Sequence, residues 1–206
     1  MARSAITDPI RNFKFQVNIV PTGTRTAPNR LSLVAGDLGS LGFAVMSGVS
    51  VQNEMIGYRE GGMNTHPHKL VGQSDFAPVT FSRGVFHNQA QMYRWQEFLH
   101  SWNQASGNTG STSTDNDYRC DIVVRVYDHP VSAGNYQTPS NVNGANPDLG
   151  NVRLAIKLYD CWPGAYALSD LNAADSGIMV QQLTVHHEGF YIAWTPEQIS
   201  NVDSQQ

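Results

Sequence analysis

Phe13-Lys14-Phe15-Gln16-Val17-Asn18-Ile19 alternates apolar and polar side chains without a break. At a period of two, Phe13, Phe15, Val17 and Ile19 share one face of a strand while Lys14, Gln16 and Asn18 share the other. That is the pattern of a half-buried β-strand, begun after the Asp8-Pro9 turn. The same period returns along the chain. Phe43 and Val45 resume it, Ser47-Gly48 interrupts it as a bend or bulge, and Val49 and Val51 carry it on. Val79 and Phe81 form a short strand ended by Arg83-Gly84. Cys120, Ile122, Val124 and Val126 mark another. Val152, Leu154, Ile156 and Leu158 mark the next, with Arg153 and Lys157 expected to face outward. Trp162-Pro163-Gly164 predicts a turn. A last strand is predicted from about Ile178 to His187, irregular at Gln181-Gln182, and the polar tail beyond Trp194 is expected to be loose.

One helix interrupts this β pattern. Met92, Trp95, Leu99 and Trp102 recur at intervals of three, four and three, one apolar stripe, with Gln91, Arg94, Glu97 and Ser101 mostly opposite. Asn88 suits the N-cap and Gly107 follows the C-terminal end. Two Trp residues on one stripe predict a helix packed hard against a sheet face.

Between these elements lie long polar stretches. Pro21 to Arg30 reads as a loop, and Ile56 to Asp75 reads as a 20-residue polar loop, a length that in compact domains is functional or docked. Gln104 to Asp117 is an almost charge-free linker, and His129 to Gly150 is a Pro/Gly/Asn-rich insertion. No composition shift divides the 206 residues. The reading is one mainly β domain over 1–206, a sandwich or barrel of about six strands with one packed helix and long polar loops.

Composition excludes several functions. Charged residues are 15% of the chain and the net charge is −4, too few cations for wrapping nucleic acid through many phosphate contacts. A 40% hydrophobic content is too high for disorder along the whole length, and no apolar run is long enough to span a membrane. The opening residues show no secretory pattern, and Cys120 and Cys161 lack metal-ligand spacing, so synthesis in a reducing cytoplasm is expected. His66, His68, His186, His187 and Glu188 are the candidate metal ligands, but His186 and His187 fall on opposite faces of a strand, so no metal or cofactor is expected. No Gly-x-Ser-x-Gly elbow is present. Glu54, Glu60, Asp160 and Asp170 have no spacing that favours paired carboxylates, and Arg59-Glu60-Gly61-Gly62 is followed by no Gly-Lys-Ser/Thr phosphate cradle. No catalytic residue is assigned. Unpaired strand edges remain to be satisfied, and closing a barrel between neighbouring subunits satisfies them.

Several runs, in order along the chain, resemble the tail tube proteins of contractile phage tails and phage-like contractile injection systems. They are Asp8-Pro9-Ile10-Arg11-Asn12-Phe13-Lys14-Phe15-Gln16-Val17; Phe43 with Met46-Ser47-Gly48-Val49 and Glu54; and Tyr58-Arg59-Glu60-Gly61-Gly62. His68-Lys69-Leu70-Val71-Gly72 follows, with Val71 where the family has proline. Ser82-Arg83-Gly84-Val85, Trp95, Trp162-Pro163, Asp170-Leu171-Asn172-Ala173 and Leu183-Thr184-Val185-His186-His187-Glu188-Gly189 complete the set. The resemblance implies two β-sheets in a small sandwich or barrel with one packed helix. It implies six copies in a ring, a shared inner barrel, and rings stacked into a tube. The implied location is a virion tail or injection particle. The implied partners are the chain itself, the tail sheath, baseplate hub, tail terminator and tape-measure proteins, with DNA or protein cargo in the lumen. Stretches 21–41, 104–117 and 129–150 are longer than a minimal tube subunit needs. Tyr58, Arg59, Glu60, Gly61, Gly62 and Lys69 are the expected subunit contacts, and Phe13, Phe15, Trp95, Leu99, Trp102 and Trp162 the expected core. Delivery of DNA is the leading expectation, a protein-delivering injection system the alternative. The net charge of −4 suggests a lumen that repels phosphate within a Debye length of about 8–10 Å. A carbohydrate-binding sandwich using Tyr136, Tyr166 and Tyr191 and a hydrolase with dispersed carboxylates are the competing classes.

Overall fold

The computed structural model describes residues 10, 12–21, 42–62, 65–87, 89–103, 118–127, 152–172 and 176–204. Expectations for 22–41, 104–117 and 129–150, for the caps Asn88 and Gly107, and for Tyr136 lie outside them, as does the side chain of Trp102. The strands are β1 (Phe15–Pro21), β2 (Val45–Ser47), β3 (Val51–Tyr58), β4 (His68–Phe76), β5 (Val79–Gly84), β6 (Cys120–Tyr127), β7 (Val152–Leu168), β8 (Val180–His186) and β9 (Gly189–Ala193). Helix α1 (Gln91–Asn103) lies between β5 and β6, and α2 (Pro196–Ser200) precedes a 3-10 turn at Val202–Ser204.

Strand β7 organises the molecule. Its N-terminal half pairs with β6 on one side and β9 on the other, and β1 extends that sheet beyond β6. Its C-terminal half pairs with β8, which pairs with β5, which pairs with β2. All pairings are antiparallel, and the two sheets face each other across one core. Two register shifts make the change of sheet possible. One falls opposite Cys120/Ile122, beside Asp160, whose φ of 49° is left-handed and whose N–H donates to Asp121 Oδ1 at 3.2 Å. The other falls between Pro163 and Ala165. The predicted turn at Trp162-Pro163-Gly164 is therefore a bulge inside a 17-residue strand. A Cβ on Gly164 would sit 2.4 Å from the His186 ring, which stacks on Trp162 with centroids 4.6 Å apart. Trp-Pro-Gly reads as a turn locally, but a bulge also accommodates a proline that has no N–H to give.

The core joins Val17, Ile19, Phe81, Ile122, Val124, Leu158, Leu183 and Val185 with Met92 and Trp95 of α1. Trp95 is 0% exposed and its indole Nε1–H donates to the Tyr118 carbonyl at 3.2 Å. Phe98, outside the predicted stripe, packs on the same core, and Leu99 is half-buried. Phe15 packs against the core, Trp162 is half-buried, and Phe13, expected inside, is 65% exposed because the strand begins only at Phe15.

Two further expectations are corrected on the far face of the first sheet. Lys157 does not face water: it is 3% exposed, its Nζ lies 3.2 Å from Asp121 Oδ2, and Arg125 Nη2 donates to both oxygens of Asp203 at 2.6 and 2.7 Å. The tail is not loose. Thr195 caps α2 in a reciprocal capping box with Gln198, and Val202 is buried against Val123, Ala155 and Ala193. Period-two reading allows one covered face per strand, whereas β6 is covered on both. The predicted irregularity at Gln181-Gln182 is also absent: β8 runs in unbroken register along β5, with Gln181 buried and Gln182 exposed.

Candidate assembly surface

Ile56 to Asp75 is not a structureless loop but most of a β-hairpin. Strands β3 and β4 pair from Val51↔Phe76 to Tyr58↔His68, with a bulge between Asn53 and Met55, forming a two-stranded arm separate from the main sheets. Sequence missed it because neither face is buried, so there is no contrast for alternation to report. Ile56 and Leu70 are cross-strand partners on one face, Met55 and Val71 on the other, and all four are exposed. A two-stranded ribbon with apolar side chains on both faces is marginal in water alone and calls for a cover.

The base of the arm is rigid. Gly48 has φ +102°, and a Cβ there would lie 2.4 Å from the Pro78 carbonyl, so only glycine lets β2 turn into β3 past β5. Ala77 N–H donates to the Ser50 carbonyl at 3.1 Å. His187 is buried beside Phe76 and Phe190, and each of its ring nitrogens lies 3.1 Å from a backbone carbonyl oxygen, those of Ala77 and Gly189. Burial pushes its imidazole below the ordinary value, outweighing the two carbonyls that favour the charged form.

At the other end, Tyr58, Arg59, Glu60, Gly61 and Gly62 are exposed, Gly62 turns at φ +97°, and Lys69 pairs with Gly57 one step from Tyr58↔His68. The arm thus gathers all six residues expected from sequence as subunit contacts. Two strand edges of the second sheet also lack a partner among the described residues, that of β2 and that of the C-terminal half of β7. An open cleft of about 480 Å³ separates β1 from β2, lined by Phe13, Phe15, Val45, Met46, Val124 and Ile156 among others. Exposed Phe13 belongs to this cleft, a position that sequence alternation alone could not separate from the core.

The chemically suggestive residues are scattered. His66 contacts Thr65 and His68 on the arm, His186 stacks on Trp162, and His187 is committed to backbone. Among the described residues no group of three or more His, Cys, Asp or Glu comes together to hold a metal. Glu54 and Glu60 lie on the arm, Asp160 at the bend of β7 and Asp170 beyond its end. Glu188 pairs with Arg119 at 2.7 Å. Tyr166 is half-buried, donating to Gln181 Oε1 at 3.1 Å, and Tyr191 packs in the cluster beneath α2, so neither presents an open aromatic platform.

The family described as T4-like virus tail tube protein gp19 matches residues 11–191. No curated protein matches the chain. Among solved structures, a chain of the anti-feeding prophage baseplate, six-fold symmetrised, is 17% identical, with a TM-score of 0.60 over 91% of this chain and 97% of that one. A chain of the PVC sheath–tube complex of an extracellular contractile injection system, in the extended state, is 17% identical with a TM-score of 0.60, covering 94% and 100%. A chain of the tube-terminating cap of the anti-feeding prophage is 18% identical with a TM-score of 0.59, covering 94% and 97%. At these identities the likeness is one of fold.

Proposed function

This chain belongs to the T4-like virus tail tube protein gp19 family, and from that membership we propose that it builds the inner tube of a contractile injection system that delivers a protein payload. As a tail tube protein it is a structural, non-catalytic subunit of a channel. Six copies form a ring, the free edge of β2 in one copy pairs with the free C-terminal edge of β7 in the next, and the second sheets close into a continuous barrel. Rings stack, and the arm of each copy lies against a neighbour with Tyr58–Gly62 and Lys69 in the contact. The single observation that carries this reading is the arm: eight- and nine-residue strands whose apolar side chains Met55, Ile56, Leu70 and Val71 have no cover among the described residues. Sheath, baseplate hub, tail terminator and tape-measure protein are the proposed partners, in an assembled particle.

The injection-system form is preferred because two solved chains that share the fold come from an extracellular contractile injection system. The family's viral description supports a second reading, a phage tail tube passing DNA. Genes for capsid and packaging proteins beside this one would decide for the phage. Negative-stain microscopy of the purified protein is expected to show rings or tubes. Arg59→Glu is expected to abolish them while the circular dichroism melt of the subunit stays within about 2 °C, as for a surface change costing under ~0.5 kcal/mol. Normal tubes from that variant would remove the arm tip from the contact.

A further inference from the structure

Three cations are buried among the described residues, and two of them are paired within the chain, Arg125 with Asp203 and Lys157 with Asp121. The third, Arg83 near the end of β5, is 3% exposed and has no carboxylate among the described residues. Its Nη2 donates to the neutral side chain of Gln89, and its Nε is buried without a hydrogen-bond partner. Gln181, opposite it on β8, already accepts from the Tyr166 hydroxyl. Burial with no compensating charge pulls the guanidinium below its ordinary value. A buried cation left in that condition is a cost to the isolated subunit.

The surroundings suit an incoming anion. Arg83 Cζ lies 5.3 Å from the centroid of the exposed Phe86 ring, so the guanidinium sits just beneath the surface. Phe86 and Ile178 flank the adjoining Gly84, and both are exposed. Gln89 stands two residues before α1, whose first turn holds no acidic residue to offset the positive end of the helix dipole. A recessed arginine among uncovered aromatic and aliphatic side chains has the make-up of an interface hot spot.

We propose that Arg83 is one half of an ion pair completed between copies, and that the other half is the Glu60 carboxylate at the arm tip of a second copy. The proposal rests on the tube reading and adds to it where the arm tip lands. A recessed cation needs a carboxylate on a slender support. Glu60 is exposed, is followed by Gly61 and Gly62, which have no side chains to hold it off, and has no ion-pair partner among the described residues. Glu54 and Asp75 lie nearer the base of the arm, within its paired strands. The two oxygens of a carboxylate match the arginine fork and would engage the orphaned Nε–H together with a neighbouring Nη.

Arg83→Met, Glu60→Gln and the double variant test the pairing, with Glu197→Gln on the exposed surface of α2 as the control for loss of one carboxylate. Each is melted as a monomer and assayed for the protein concentration at which tubes sediment. The Arg83→Met monomer is expected to melt no lower than the native one, since an apolar side chain of similar length replaces an unpaired buried charge. Its tubes are expected to need about tenfold more protein or higher. Glu60→Gln is expected to show the same rise, the double variant no more than the larger single rise, and Glu197→Gln none. An Arg83→Met monomer that melts several degrees early, or does not fold, shows that its own chain already satisfies Arg83 and overturns the pairing. Native assembly by either single variant, losses that multiply in the double, or an equal loss at Glu197→Gln also overturns it and leaves the tube reading standing. Absence of rings from the unmodified chain overturns the tube reading itself.

Discussion

His187 shows how one residue can be chemically conspicuous and structurally employed. Its two ring nitrogens reach the carbonyls of Ala77 and Gly189, tying the turn after the arm to the turn before β9. A neutral imidazole has one N–H, so it serves one carbonyl fully, and burial keeps it in that form. With the folded value depressed below 6.5, the unfolded chain binds the extra proton first as pH falls. The stability His187 contributes is therefore complete above about pH 6.5 and is lost as the pH drops through its lower folded value. The difference in Tm between the native protein and His187→Asn is expected to be constant above that pH and to shrink below it. A difference independent of pH between 4 and 8, read by scanning calorimetry, would falsify the buried neutral form (the bounds are roughly those of carboxylate and histidine titration). Sequence reads His186 and His187 as facing opposite ways, and the structure has His186 exposed at the end of β8 and His187 buried just beyond it, but the sequence has no means of naming the two carbonyls.

At the scale of elements, sequence reads the arm as a polar loop and the segment beyond Trp194 as a loose polar tail, and both readings fail, for opposite reasons. The arm hides no face, so its apolar residues do not alternate against polar ones. The segment after Trp194 hides one short face, chiefly Ile199 and Val202, too briefly for periodicity to register. Thr195-Pro196-Glu197-Gln198 was nonetheless a legible capping box, followed by a helix of a single turn. Ile56→Lys with Leu70→Lys is expected to block ring formation and leave the monomer melt nearly unchanged, because both side chains are exposed and have no cover among the described residues. A monomer that unfolds early would instead place the arm in the subunit's own stability. Asp203→Ala acts the other way. It strands the buried Arg125 guanidinium at a cost of about 1–3 kcal/mol, which lowers Tm by about 2–4 °C per kcal/mol in a chain of this size. Thermal melts that do not move would show that water replaces the pair without loss.

For the whole molecule, the decisive feature is one strand serving two sheets. β7 bends at Asp160 and again at Gly164, and those bends set the first sheet, roofed by the C-terminal segment, against the second, which has two unpaired edges among the described residues. In the proposed ring those open edges are the ones that meet between copies. By itself the amino-acid order determined the β class, the apolar stripe of α1 and most strand positions, because period is a local property of the chain. Only the tertiary structure decided that Trp162-Pro163-Gly164 continues a strand, that Lys157 and Arg125 are buried, and that the long polar stretch is a paired arm. Each of those depends on what a distant segment places against the residue, and contact between distant segments leaves no periodic trace in the sequence.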